Sequence, residues 1–116
     1  LLAFVLRRSF ADDREAWAFP RTQLFAPLGM HTAVLEADAS GTFVASSFGF
    51  ASARDWARLG MLYCDDGVVD GQRLLPEGWV AAARTPHPNG DGRYGLHLWL
   101  DRDPDGAASD VRDRVG

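Results

Sequence analysis

Apolar positions come in short bursts along this chain, and their spacing separates helical stretches from turns. Leu1-Leu2-Ala3-Phe4-Val5-Leu6 is a continuous apolar run closed by Arg7 and Arg8. It reads as the last turns of a buried helix ending near Ser9, since cations near a helix C-terminus complement its dipole. No Ser, Thr, Asp or Asn stands ahead of the run as a cap, so the helix is expected to begin upstream. Ala11 to Arg14 reads as a polar connector. A second helix is expected from Phe19-Pro20, because proline's missing N–H has no partner at the first helical position. Leu24, Phe25 and Leu28 keep helical spacing, and Pro27 ends the helix by disfavouring helical geometry in the residue before it.

Residues 31–51 show neither period and are rich in Ala, Ser, Gly and Phe. A loop of that length inside a domain is uncommon and often functional, so this is the first place to seek a substrate wall. The clearest element runs from Ser52 to about Asp65. Ser52-Ala53-Arg54-Asp55 is a capping-box-like start with Asp where Glu or Gln is usual. Ala53, Trp56, Ala57, Gly60 and Cys64 share one face, flanked by Leu59, Met61, Leu62 and Tyr63. The polar stripe is only Arg54, Asp55, Arg58 and Asp65, so the helix is expected to be buried on most sides, with Cys64 inert in its packing. Val68 to Leu75 reads as two short extended pieces around a tight turn, and Pro76-Glu77-Gly78-Trp79 as the opening of a short helix to about Ala83. Thr85 to Gly90 is turn chemistry. Tyr94 to Leu100 reads as a strand, with His97 and Trp99 on one face. The stretch from Asp101 onward reads as a loop or an incomplete C-terminal segment.

Composition narrows the chemistry. All twelve basic residues are Arg, and the 116-residue chain has neither Lys nor Ile. A mechanism that needs a lysine base therefore cannot be complete within it. The net charge of −4 is scattered, without the clustered basic face of a nucleic-acid binder. Cys64 is the sole cysteine, and no ligand spacing suggests a metal or another cofactor. No apolar run approaches the roughly 20 residues a membrane helix needs. Compartment stays open among periplasmic, exported and cytoplasmic.

Four stretches, in order, carry a resemblance. They are Leu24 to Met30, Ser52 to Gly60, Gly67 to Val80, and Tyr94 to Leu100. Together they resemble the serine β-lactamase and penicillin-binding-protein family, on the branch of the class C-like esterases and 6-aminohexanoate-dimer hydrolases. The resemblance covers about residues 1–100 and implies an α/β (α+β) fold, of which this chain would be an internal portion, mainly helical with a short hairpin and one sheet strand. It implies a hydrolase of esters, amides or β-lactams working through a serine acyl-enzyme, in which an adjacent base activates a weak nucleophile.

The family's Ser-x-x-Lys, Tyr-x-Asn or Tyr-x-Ser, and His- or Lys-containing triad are all absent here. The resemblance places this stretch between the second and third of them, and so implies no catalytic residue and no activity for the chain alone. Ser46 to Phe50 resembles the loop edging the family's cleft, which makes Ser47, Phe48 and Gly49 candidate substrate contacts. The plainer alternative is a lead into the Ser52 helix, with Phe48 or Phe50 as a hydrophobic staple. His97 and Trp99 are the remaining candidates, on a strand face that would look into the cleft. Two rival readings stay open: a non-catalytic penicillin-recognising or degenerate relative, and a helical interaction domain.

Overall fold

Two acidic side chains decide where the second helix begins. Asp12 accepts the Glu15 N–H at 2.9 Å, and Glu15 reaches back to the Ala11 N–H at 3.1 Å. The first bond satisfies one of the N–H groups that the first helical turn leaves unpaired, and the second ties the residue before the cap to the same turn. In the computed structural model, which describes residues 1–101, α1 spans Leu2–Arg8 and α2 spans Asp13–Pro20. The connector expected at Ala11 to Arg14 is therefore largely helix, and Pro20 closes α2 instead of opening it. Proline has no N–H to continue the ladder. Beyond it Arg21–Phe25 runs as a π-helix, with the Ala26 N–H on the Arg21 carbonyl and the Met30 N–H on that of Phe25.

Inside the irregular-looking stretch lies a small antiparallel pair. β1 (Val34–Leu35) pairs with β2 (Gly49–Phe50), placing Val34 opposite Phe50 and Leu35 opposite Gly49. A further bridge joins Ala37 and Phe43. α3 spans Ala53–Cys64, and Ser52 caps it by accepting the Asp55 N–H at 3.2 Å. Its orientation reverses the expected one. Asp55 and Leu62, two turns apart, are its buried residues, while Ala53, Trp56, Ala57, Gly60 and Cys64 face outward. The buried carboxylate supplies the reason, as shown below. Cys64 is consequently an exposed free thiol.

β3 (Val68–Val69) and β4 (Gln72–Arg73) form the expected hairpin. Asp70 and Gly71 at its tip both have positive φ, 47° and 79°, as a two-residue type I′ turn requires. The contacts divide the chain into two units, the first covering Leu1–Leu74 and the second starting at Leu75. In the second, α4 spans Trp79–Ala83 after Gly78 at φ 78°, and buries Val80 and Ala83. Tyr94 to Leu100 is not a strand. It folds back on itself, with the Gly95 N–H on the Leu98 carbonyl at 2.8 Å and a bridge from Tyr94 to Trp99. Gly95 lies so close to the Ala83 carbonyl that a Cβ there would collide with it. The described architecture is thus α+β, with four α-helices and two two-stranded antiparallel sheets among the described residues. The segment expected as a loop or incomplete end lies, beyond Asp101, outside them.

The core of the first unit is small: Ala16, Phe25, Leu28, Met30, Ala33 and Leu62. α1 adds nothing to it. Leu1, Leu2, Phe4 and Val5 are each more than half exposed, so the buried helix expected there is an uncovered one. Its main anchor is polar. Arg7 makes a two-pronged pair with Asp13, both contacts at 2.7 Å, and reaches the Ser40 carbonyl and Thr42 hydroxyl. With Trp17, Leu35 and Phe43, α1 lines an apolar cleft of about 520 Å³ instead of filling it.

Leu62→Ala should destabilise the fold by about 2–5 kcal/mol, whereas Met61→Ala, one residue away and exposed, should stay within about 0.5 kcal/mol. Urea unfolding of both variants checks the orientation of α3. Leu2→Gln with Val5→Gln should leave stability unchanged and lower self-association, as read by sedimentation velocity.

Candidate functional site

The three loop candidates come together in the first unit. Ser47, Phe48 and Gly49 lead directly into β2. The Ser47 N–H donates to the Val44 carbonyl and the Phe48 carbonyl accepts from Glu36, both at 3.1 Å. The tip of the same excursion is closed by Asp38, whose Oδ1 accepts the Ser40 N–H, the Ser40 hydroxyl and the Thr42 N–H. Phe48 has φ 58° and is 54% exposed. A bulky residue in the left-handed region is a true outlier, costing of order 1–3 kcal/mol, and such strain collects at functional sites. Next to it, a Cβ on Gly49 would press on Leu35 Cδ2 at 3.3 Å, so glycine lets the two strands close.

His97 and Trp99 belong to the second unit. His97 sits in the turn between Tyr94 and Trp99 with φ 57°, so the alternation that would have put it on the same face as Trp99 does not operate. Trp99 is 75% exposed and meets Tyr94 edge-on, ring centroids 5.1 Å apart at 74°. The five candidates therefore form two groups, one in each unit.

The strongest polar constellation is one the sequence reading undervalued. Asp55 is 2% exposed. Its Oδ2 accepts the Thr32 N–H at 2.8 Å and the Thr32 hydroxyl at 2.7 Å, and its Oδ1 accepts Arg58 at 2.6 Å. The Thr32 hydroxyl oxygen in turn accepts the Ser52 N–H at 2.9 Å. In a capping box the acidic residue itself takes that N–H. Asp is one methylene shorter than Glu, and here Thr32 spans the gap. The signal was present in the Asp at the third helical position, but its partner lies 23 residues away. The Thr32 hydroxyl, its N–H and then Arg58 hold the Asp55 carboxyl below its ordinary value of 3.8, against the opposing effect of burial. The arrangement is structural. Both carboxylate oxygens and the Thr32 hydroxyl are engaged within it, and nothing in it activates a nucleophile.

A nucleophile–base pair is missing elsewhere among the described residues too. His87 Nδ1 accepts the Asn89 N–H, and no Ser, Thr or Cys side chain is hydrogen-bonded to a histidine among the described residues. Nor do three His, Cys, Asp or Glu residues gather to hold a metal ion among them, and none of their helices is long and apolar enough to cross a membrane. No protein-family model, curated protein or solved structure matches the chain.

Removing the α3 cap with Ser52→Ala should lower stability by about 1 kcal/mol in urea unfolding. The acid response follows from Asp55. A carboxyl whose folded pKa lies below its unfolded one stabilises the fold above the unfolded value, and that contribution disappears as pH falls through the folded pKa. The melting temperature should hold steady above about pH 5 and drop below about pH 4, with a shallower drop in Asp55→Asn. Thermal melts across this range, wild type beside variant, read the difference.

Proposed function

We propose that the chain is a portion of a serine β-lactamase-like hydrolase, and that it supplies scaffold and cleft wall while the reacting groups lie elsewhere in the parent. The parent cleaves an ester, amide or β-lactam through an acyl-enzyme. The observation that carries this reading is Phe48. A strained, exposed aromatic side chain on a loop pinned at both ends is poorly explained by packing, and well explained by contact with a substrate. Ser47 and Gly49 flank it as the polar and backbone surface of that wall. Trp99, with its ring exposed beside Tyr94, offers a second apolar contact surface, and His97 stands at the turn next to it. The four stretches that resemble the family supply the reaction class, since fold alone would not.

The uncovered face of α1 favours a second reading, a non-catalytic relative or interaction domain in which that face meets a partner. The coding DNA on either side separates the two. The hydrolase reading expects an in-frame Ser-x-x-Lys followed by Tyr-x-Asn or Tyr-x-Ser upstream, and a His or Lys triad downstream. An open upstream frame without Ser-x-x-Lys overturns it. In the parent enzyme, Phe48→Gly should raise KM about tenfold with little change in kcat, as for lost uniform binding. Because glycine accepts φ 58° without strain, stability should change by less than about 1 kcal/mol. An unchanged KM would remove Phe48 from the substrate wall.

A further inference from the structure

A second cleft in the first unit, about 390 Å³, has apolar walls built by Trp17, Pro20, Phe25, Leu35 and Phe43. That volume is within the range of small-molecule sites. Arg21 is its only charged lining residue, and no acidic side chain lines it. The guanidinium is held in place from two sides. Its Nη2 donates to the Ala33 carbonyl at 2.5 Å, and its carbon lies 5.9 Å from the centre of the Phe25 ring. No carboxylate pairs with it among the described residues. The contrast with Arg7 is instructive, since Arg7 is neutralised by Asp13.

Trp17, one turn before Arg21, is fixed as well. Trp17 Nε1 donates to the Gly41 carbonyl at 2.8 Å, and a Cβ on Gly41 would come within 3.0 Å of the indole. Arg21 also opens the π-helix, a rare geometry that is frequent at functional sites. The cleft thus combines an aromatic body, a preoriented guanidinium and an unmatched positive charge. A planar guanidinium is suited to a carboxylate, which it can grip with two parallel hydrogen bonds.

We propose that this cleft binds a small amphipathic monocarboxylate, with its aryl or acyl body against Trp17, Phe25 and Phe43 and its carboxylate on Arg21. Leu35 and Phe43 belong to the same excursion as Phe48, but Ser47, Phe48 and Gly49 do not line this cleft, and the proposal does not depend on the hydrolase reading. The test is titration of the full chain with 2-naphthoate and with its neutral isostere 2-naphthamide, followed by isothermal calorimetry. Wild type should bind naphthoate about three- to fivefold more tightly than naphthamide, the size expected of one charge-assisted contact at an exposed arginine. Arg21→Gln should abolish that preference while leaving naphthamide affinity unchanged, and Arg21→Lys should retain part of it. Arg14→Gln, outside the lining, should change nothing. Equal affinity of the two probes for wild type, or no binding of either at millimolar concentration, overturns the proposal without any variant. A preference that persists in Arg21→Gln overturns it as well.

Discussion

The Asp55 carboxylate receives the Thr32 N–H and hydroxyl on one oxygen and the Arg58 guanidinium on the other, almost fully out of solvent. Much of the first unit follows from that requirement. A buried charge needs its partners in place, because a carboxylate left without them is strongly disfavoured in the interior. Thr32 stands at the start of the excursion that runs to Ser52, and the hydroxyl that donates to Asp55 also accepts the Ser52 N–H from its other end. One group therefore closes the base of a 20-residue separation in the chain and starts a helix at the same point. It also turns α3 so that Leu62, seven positions later, enters the core.

What the base fixes, the loop can use. With both ends of the excursion held, its interior is free to adopt unfavourable backbone at Phe48 while Asp38 ties the far tip. The strain at Phe48 is tolerated because the surrounding contacts over-determine it. The same division runs through the rest of the unit. Polar side chains, Arg7, Asp38 and Asp55, set the positions of its elements, and the apolar surfaces of α1, Trp17, Leu35 and Phe43 are left lining clefts. Such a scaffold offers apolar binding surface, and among the described residues no histidine is hydrogen-bonded to a Ser, Thr or Cys side chain.

Local signals were legible wherever chemistry and partner were close in sequence. Ser52 announced α3, Asp70-Gly71 the hairpin turn, and Pro76 to Trp79 the start of α4. The Asp12 cap was equally readable, but Pro20 drew the helix start downstream because proline favours the first helical position. The outward face of α3 was hidden for a deeper reason. Hydrophobic periodicity puts Trp56 and Cys64 inside, and only the distant Thr32 reveals that Asp55 goes there instead. At Tyr94 to Leu100 the apolar alternation was compatible with a strand, while the turn depends on Gly95 meeting the Ala83 carbonyl, again a non-local contact. Of the candidate site, Ser47, Phe48 and Gly49 are consecutive residues that lead into β2. His97 and Trp99 do not share the strand face assigned to them.

The first unit depends on Thr32 being locked to Asp55, and the amide proton of Thr32 reports on it directly. Its side chain is exposed and it lies in a turn, so without the carboxylate its N–H would exchange with solvent almost as fast as in an unfolded chain. Native-state hydrogen exchange by NMR should instead find the Thr32 amide protected about as strongly as the α3 amides and lost together with them as denaturant is added. Rapid exchange of Thr32 beside slow exchange in α3 would mean that the carboxylate does not hold the base of the loop, and the account would fail.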